Sequence, residues 1–147
     1  MELDRRVIEA RLMKLEHCIH KLGRYRSLSS DHYLSDEDTQ DIVERNFQLA
    51  VQVCMDIANY LIARLSLQVP EEEGNIFAIL GKAGAIPEAL GDEMRGMVGF
   101  RNILVHGYLK IDPSEVHRIL TTRLGDLEHF AQSIADFLER VDRGDER

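Results

Sequence analysis

The chain has 147 residues, of which 44% are hydrophobic and 30% are charged, and its formal net charge at pH 7 is −8. This size and composition are typical of a globular chain with a sizeable core, so we expect a single domain over residues 1–147. The negative charge argues against non-specific coating of nucleic acid, which needs a broad basic surface. No apolar run approaches the ~18 residues of a membrane span and the N-terminus lacks a signal-peptide core, so we expect a cytoplasmic protein without membrane contact.

Apolar residues in the first part of the chain recur at steps of three and four, the period of an amphipathic helix. We predict this helix from about residue 3 to about residue 26. Its apolar stripe consists of Ile8, Leu12, Leu15, Ile19 and Leu22.

A second helix is predicted to open at Ser35, because Asp38 three residues later forms an acidic variant of a capping box. Its apolar residues form two neighbouring stripes, which indicates a central position or a subunit interface. Pro70 and the acidic residues that follow are expected to end it. Both cysteines, Cys18 and Cys54, fall within helical apolar patterns, and their spacing indicates neither a disulfide framework nor a zinc site. Buried free thiols are therefore expected.

A shorter apolar segment covers residues 76–80, and Pro87 then opens another helix. Gly96 and Gly99 lie inside this helix, where each costs about 1 kcal/mol relative to alanine, so we expect another backbone to approach closely there. We predict that the helix stops on Gly107 in the left-handed conformation.

The segment Asp112–Glu115 combines an N-cap, a first-turn proline and a glutamate, and we predict one helix from there to Val141. No alternating strand pattern occurs anywhere in the sequence. The sequence therefore predicts an all-α fold, an antiparallel bundle of four to five helices.

The most informative group of polar residues is Arg101, Asn102, His106 and Tyr108, at the end of the helix that Pro87 opens. A guanidinium binds phosphate and an imidazole moves protons near neutral pH, so the group suits cleavage or binding of a phosphodiester. Arg101 and His106 are about 140° apart around a helix and flank one edge of it. Cleavage without a metal needs a base, an acid and a cation for the charged phosphorane, and one histidine cannot be base and acid at once. We therefore expect a homodimer that brings two such helices together.

The pattern Arg101-Asn102-x-x-x-His106-x-Tyr108 resembles the R-x4-H-x-Y signature of the HepT-like toxins, a branch of the HEPN superfamily of small helical ribonucleases. Segments between Ile42 and Ala63 are similar to the second helix of that family. The resemblance implies a HEPN-like, homodimeric helical bundle that acts as a metal-independent endoribonuclease, the toxin of a toxin–antitoxin pair. The implied partners are an RNA substrate and an MntA-like nucleotidyltransferase antitoxin, and no cofactor or metal is implied.

Carried over to this sequence, the resemblance implies that Arg101 holds the scissile phosphate and that His106 transfers protons. It also implies that Asn102 positions the substrate backbone and that Tyr108 accepts AMP, which silences the nuclease. Other interpretations stay open: Arg101 pairs with a carboxylate, His106 caps helix carbonyls, or Tyr108 is a half-buried aromatic. The alternative function is a non-catalytic nucleotide-binding or adaptor subunit of a nucleotidyltransferase complex.

Overall fold

The computed structural model describes residues 3–144, which form seven α-helices and no strand. The helices are α1 (Arg5–Gly23), α2 (Ser30–Leu34), α3 (Glu37–Arg64), α4 (Ile76–Lys82), α5 (Glu88–His106), α6 (Pro113–Thr122) and α7 (Leu124–Asp142). Two short 3-10 turns, Glu73–Asn75 and Tyr108–Lys110, lie before α4 and after α5. The predicted all-helical fold is confirmed. None of the described helices is both long and apolar enough to cross a membrane.

The long helices α1, α3, α5 and α7 form the bundle, and contacts between helix ends show that α1 runs antiparallel to both α3 and α7. The backbone N–H of Asp4, just before α1, donates to the hydroxyl of Tyr60 near the end of α3 at 2.8 Å. Arg5 at the start of α1 pairs with Asp142 at the end of α7. The helices α3 and α7 therefore both run opposite to α1, in agreement with the predicted antiparallel packing against the first helix.

The first helix and both cysteines confirm the predicted core pattern. Ile8, Leu12, Leu15 and Leu22 are buried in α1, and Ile19 packs partly buried against them. Cys18 and Cys54 are buried and free. Burial raises the pKa of both thiols, because removal from water disfavours the thiolate. These thiols are therefore unreactive parts of the core.

The region before α3 differs from the prediction of a turn and a helix opening at Ser35. The five-residue helix α2 forms there, with the Ser29 hydroxyl accepting from the N–H of His32 at 3.1 Å and the Tyr33 side chain fully buried. Asp36 then caps α3 by accepting from the N–H of Thr39 at 3.2 Å. At its other end α3 stops at Arg64, ahead of Pro70, and Ser66 has a φ of 53°. A residue with positive φ cannot continue an α-helix, so the helix ends before the proline is reached.

The prediction of one unbroken helix from Asp112 to Val141 was wrong. The chain bends at Arg123, where φ is −120° and ψ is −2°, and this bend separates α6 from α7. The Arg123 guanidinium donates to the carbonyl of Glu93 in α5 at 2.9 Å and to Asp126 at 2.5 Å. Because the buried stripe continues across the bend, apolar spacing does not reveal it. The bend and the short helix α2 bring the count above the predicted four to five helices.

Within one chain, close backbone approach occurs at Gly91 and not at Gly96 or Gly99. A Cβ atom on Gly91 would lie 2.7 Å from the carbonyl oxygen of Phe77 in α4, a distance at which the helices would have to shift. The same test finds nothing within 4 Å of a Cβ on Gly96 or Gly99 in the described part of the chain. The two glycines therefore lie on an open face of α5.

Candidate active site

Aromatic packing beside the motif fixes which side of α5 faces the core. Phe100 meets Phe47 of α3 edge to face, with ring centroids 5.2 Å apart, and Leu104 one turn later is buried. Since Phe100 and Leu104 face the core, the residues between and after them flank the α3 side of α5 or face outward. The packing thus determines where Arg101, Asn102 and His106 lie.

The Arg101 side chain is held by three partners and is only 16% exposed. Its Nη2 donates to the amide oxygen of Gln52 on α3. Its Nη1 donates to Oδ1 of Asn102 at 2.5 Å and lies 3.8 Å from the carboxylate of Glu73. Its Nε atom is buried and has no hydrogen-bond partner within residues 3–144. The interpretation that Arg101 pairs with a carboxylate is therefore correct for Glu73, although two amide oxygens also hold the guanidinium.

Asn102 and Arg101 are linked by the same carboxylate. Nδ2 of Asn102 donates to Oε1 of Glu73 at 3.3 Å, while Oε2 of Glu73 faces Arg101. The loop that carries Glu73 is fastened to α5 by Arg95, which contacts Glu72 at 3.2 Å and also donates to Asn75. The acidic stretch after Pro70, expected only to end the second helix, thus lies over the two residues predicted to contact substrate.

Gln52 has a second bond that the sequence did not predict. Its Nε2 donates to Oδ1 of Asp56, one turn further along α3, at 2.9 Å. Asp56, Gln52 and Arg101 therefore form a continuous hydrogen-bonded series. The sequence signal was only two polar residues at helical spacing on a largely buried helix, which does not identify their partner.

His106 is the last residue of α5, and its side chain is exposed. It makes no hydrogen bond or ion pair with any residue between 3 and 144, so it does not cap helix carbonyls. The helix is closed instead by the N–H of Gly107, which donates to the carbonyl of Ile103 at 2.9 Å.

The predicted left-handed conformation of Gly107 was wrong, since its φ is −109°. Glycine is favoured here for a different reason: a Cβ would lie 3.3 Å from the carbonyl oxygen of Ile103. A negative φ lets the chain continue directly into the 3-10 turn Tyr108–Lys110. Tyr108 is 67% exposed on that turn, so it is not a half-buried aromatic, and Leu109 beside it is 88% exposed.

One protomer thus brings Arg101 and Asn102 together and leaves His106 and Tyr108 facing outward. Gly96, Gly99, Ile103 and His106 are all exposed and follow one another at steps of three and four, so they share one side of α5, here called the motif face. Within one chain the Arg101 side chain is mostly buried, with 16% of it exposed. No group of three or more His, Cys, Asp or Glu residues in the described part of the chain is placed to hold a metal ion.

Residues 15–134 match the sequence profile of the family described as Ribonuclease HepT-like. The mRNA nuclease HepT of Shewanella oneidensis is 29% identical over 128 residues, which cover 87% of this chain and 96% of that protein. The tRNA nuclease HepT of Aphanizomenon flos-aquae is 30% identical over 132 residues, 90% of each chain.

The fold is also similar to solved structures. The tri-AMPylated HEPN toxin of Shewanella oneidensis, in complex with MNT antitoxin, has a TM-score of 0.80 at 27% identity, covering 92% of this chain and 99% of that one. YutE of Bacillus subtilis, described as a cytosolic protein of unknown function, has a TM-score of 0.81 at 26% identity and covers 95% and 93%. Fold and motif together define a HEPN-type helical endoribonuclease. The chain belongs to the HepT-like ribonuclease family.

Proposed function

We propose that this chain is the toxin of a toxin–antitoxin pair and that it cleaves RNA without a metal ion in a cleft formed by two copies of α5. Two relatives bear the names mRNA nuclease and tRNA nuclease, and a similar structure is a HEPN toxin with its MNT antitoxin. The observation that carries the proposal is that the motif residues Arg101 and His106 have different surroundings. Arg101 is held by its own chain, whereas His106 is exposed and has no partner within residues 3–144.

The proposed chemistry uses two imidazoles and a guanidinium. His106 of one copy removes the proton of the RNA 2′-hydroxyl, whose oxygen attacks the adjacent phosphorus. The bond from phosphorus to the 5′-oxygen breaks, and His106 of the second copy donates a proton to that leaving oxygen. Arg101 stabilises the negative charge on the phosphorane, and Asn102 positions the RNA backbone. A 2′,3′-cyclic phosphate and a free 5′-hydroxyl result.

The motif face is suited to pack against a second copy. In the described part of one chain, nothing lies within 4 Å of a Cβ placed on Gly96 or Gly99, and the apolar residue Ile103 on the same side is 49% exposed. Packing two such faces buries apolar surface and brings two copies of His106 toward each other. A homodimer therefore completes the pair of proton-transfer groups that one chain lacks.

Tyr108 is the proposed site at which a partner nucleotidyltransferase attaches AMP. The structure describes all four tyrosines: Tyr33 is buried, Tyr25 and Tyr60 are partly buried, and Tyr108 is exposed. The phenol oxygen would attack the α-phosphorus of ATP, pyrophosphate would leave, and the phenol proton would pass to solvent. The attached phosphate is anionic, so it competes with RNA for Arg101. The tri-AMPylated Shewanella oneidensis toxin supports this regulation.

The nuclease proposal is tested by incubating the purified chain with RNA in the presence and absence of EDTA. We expect cleavage that EDTA leaves unchanged and that His106→Ala abolishes. His129→Ala, which removes another exposed histidine, on α7, is the matched control and should cleave normally. Loss of cleavage on EDTA treatment would contradict metal independence. A wild-type chain that binds its nucleotidyltransferase but never cleaves RNA would instead support the adaptor function.

The regulatory proposal is tested by incubating the chain with its cognate nucleotidyltransferase and ATP and measuring the intact mass. We expect the mass to rise by one or more AMP units and the cleavage rate to fall. Tyr108→Phe should resist both changes while it retains its own cleavage, whereas Tyr25→Phe should behave like wild type. A label on another residue would refute this site without affecting the nuclease proposal.

A further inference from the structure

Two hydrogen bonds in series connect α3 to the cation of the site. Asp56 accepts from Nε2 of Gln52 at 2.9 Å, and Oε1 of Gln52 accepts from Nη2 of Arg101. All three side chains are partly buried. This series is a contact between elements, because Asp56 and Gln52 lie on α3 and Arg101 lies on α5.

The series has only one chemically consistent direction. A glutamine amide has a donor end and an acceptor end of similar shape, so packing alone does not choose its orientation. An ionised carboxylate only accepts and a guanidinium only donates. Asp56 therefore attracts the NH2 group of Gln52, which leaves the amide oxygen for Arg101. The reversed amide would set two donors against each other on one side and two acceptors on the other.

A neutral acceptor also differs from a carboxylate in what it does to the charge of its partner. Gln52 limits the movement of the guanidinium without neutralising it, whereas a carboxylate at that position would compete with phosphate for the positive charge. Asp56 is hydrogen-bonded to Gln52, which in turn is hydrogen-bonded to Arg101, so Gln52 stands between the carboxylate of Asp56 and the guanidinium. Gln52 thus fixes the cationic guanidinium before RNA arrives, which reduces the entropy lost on binding, and the phosphate then competes with the half-exposed Glu73, 3.8 Å from Nη1.

We propose that Gln52 and Asp56 are positioning residues of the nuclease: Asp56 orients the Gln52 amide, and Gln52 holds Arg101 in the position that binds the scissile phosphate. This inference rests on the proposed function, in which Arg101 binds the RNA phosphate. Neither residue needs to touch the substrate. Asp56 acts only through Gln52, and this order of action is what an experiment can detect.

The kinetic test is a double-mutant cycle with Gln52→Ala, Asp56→Ala and the double variant, measured as kcat and KM for RNA cleavage. We expect Gln52→Ala to lower kcat/KM about tenfold, the usual size of one lost hydrogen bond to a charged group. Asp56→Ala should cause a smaller loss, because the amide still adopts the correct orientation part of the time. The double variant should be no worse than Gln52→Ala alone, and additive losses would overturn the proposal.

The chain contains a matched control pair. Nε2 of Gln132 donates to Oδ1 of Asp136, again four residues apart and again at 2.9 Å, on the exposed side of α7. Gln132→Ala and Asp136→Ala remove the same helix-surface bond away from the motif. We expect both variants to cleave RNA at the wild-type rate. Losses equal to those at residues 52 and 56 would show a general helix effect and would contradict positioning.

A second measurement tests positioning without relying on cleavage. In NMR spectra of the RNA-free protein, slow rotation about the Cζ–Nη bonds gives the Arg101 guanidinium separate Nη signals. We expect separate signals in wild type, averaged signals in Gln52→Ala, and separate signals again in Gln52→Glu, which keeps the acceptor oxygen. The extra charge in Gln52→Glu should raise KM for RNA. Averaged signals in wild type, or signals unaffected by Gln52→Ala, would overturn the proposal; restricted rotation in a chain that never cleaves RNA would refute only the proposed function.

Discussion

The two ends of the motif have opposite surroundings, although only five positions separate Arg101 from His106. At one end, Arg101 is mostly buried and bonded to Gln52 and Asn102, with Glu73 nearby. At the other end, His106 is exposed and Tyr108 extends from a short turn. The proposed phosphate-binding group is thus positioned by its own chain, whereas the proposed proton-transfer group and the proposed modification site are available to other molecules. Folding alone fixes the position of Arg101, and the proposed dimer would complete the other end.

The largest effects are expected when the Arg101 and His106 side chains are removed in separate variants. Arg101→Ala and His106→Ala should both abolish cleavage, with losses of about 100-fold to 10,000-fold. Their stabilities should differ, because Arg101→Ala leaves Gln52 and Asn102 without their donor and should cost about 1–3 kcal/mol in free energy of unfolding. His106→Ala should change that free energy by less than about 0.5 kcal/mol. Urea unfolding and cleavage kinetics measure both effects; equal destabilisation would contradict the contrast.

The open glycines allow the exposed end to be tested without touching the motif residues. Gly99→Arg places bulk and charge on the motif face, where nothing lies within 4 Å in one chain. We expect the helical fold to persist, the dimer to dissociate and cleavage to fall by at least about tenfold, since one histidine then remains per site. Light scattering with circular dichroism measures assembly and fold. A folded Gly99→Arg dimer with normal cleavage would remove this face from the proposed interface.

The close contact at Gly91 tests the interior side of the same helix. Gly91→Ala forces a Cβ against the carbonyl of Phe77, and we expect a loss of about 1–3 kcal/mol in stability from overpacking. Gly99→Ala is the matched substitution on the open face, and its better helix propensity should add up to about 1 kcal/mol to the stability of one chain. Thermal or urea unfolding at low protein concentration compares them. A neutral Gly91→Ala variant would show that α4 and α5 separate easily.

The smallest expected effect concerns the carboxylate that contacts both Arg101 and Asn102. Glu73→Gln keeps the shape of the side chain and removes the charge that competes with RNA phosphate. Because the Glu73 side chain is half-exposed and lies 3.8 Å from the guanidinium, we expect KM for RNA to fall by only about two- to five-fold, the range of a surface ion pair. Glu71→Gln in the same loop makes the same change in net charge and should leave KM unaltered. Equal effects of both variants would assign the change to overall charge.

Sequence periodicity predicted the elements whose packing repeats along one face. The buried stripe of α1 and the long helix α3 followed from apolar spacing, and α5 followed from the proline that opens it. The five-residue helix α2 is too short for a periodic pattern. The bend at Arg123 depends on a bond to the carbonyl of Glu93, thirty positions earlier, and no local pattern contains that information.

The candidate site shows the same limit. Arg101, Asn102, His106 and Tyr108 were found because they are close together in sequence, and their assigned roles stay predictions. Two of the three partners of Arg101, Gln52 on α3 and Glu73 in the loop before α4, are distant in sequence, so only the fold brings them to the motif. The glycines of α5 show a related limit: Gly91 and Gly96 look alike in a helical sequence, and only the position of α4 decides which one meets another backbone within the chain.

The turn that carries Tyr108 has a kinetic consequence. It is three residues long and is closed by the bond from the N–H of Lys110 to the carbonyl of Gly107, at 2.8 Å. A turn of this length opens by local fluctuation, while α5 stays anchored through Phe100 and Leu104. Amide hydrogens in the turn should exchange with solvent far faster than those in the middle of α5. An enzyme that acts on Tyr108 can therefore capture the tyrosine from a locally opened chain, at a rate independent of the global unfolding rate of the bundle.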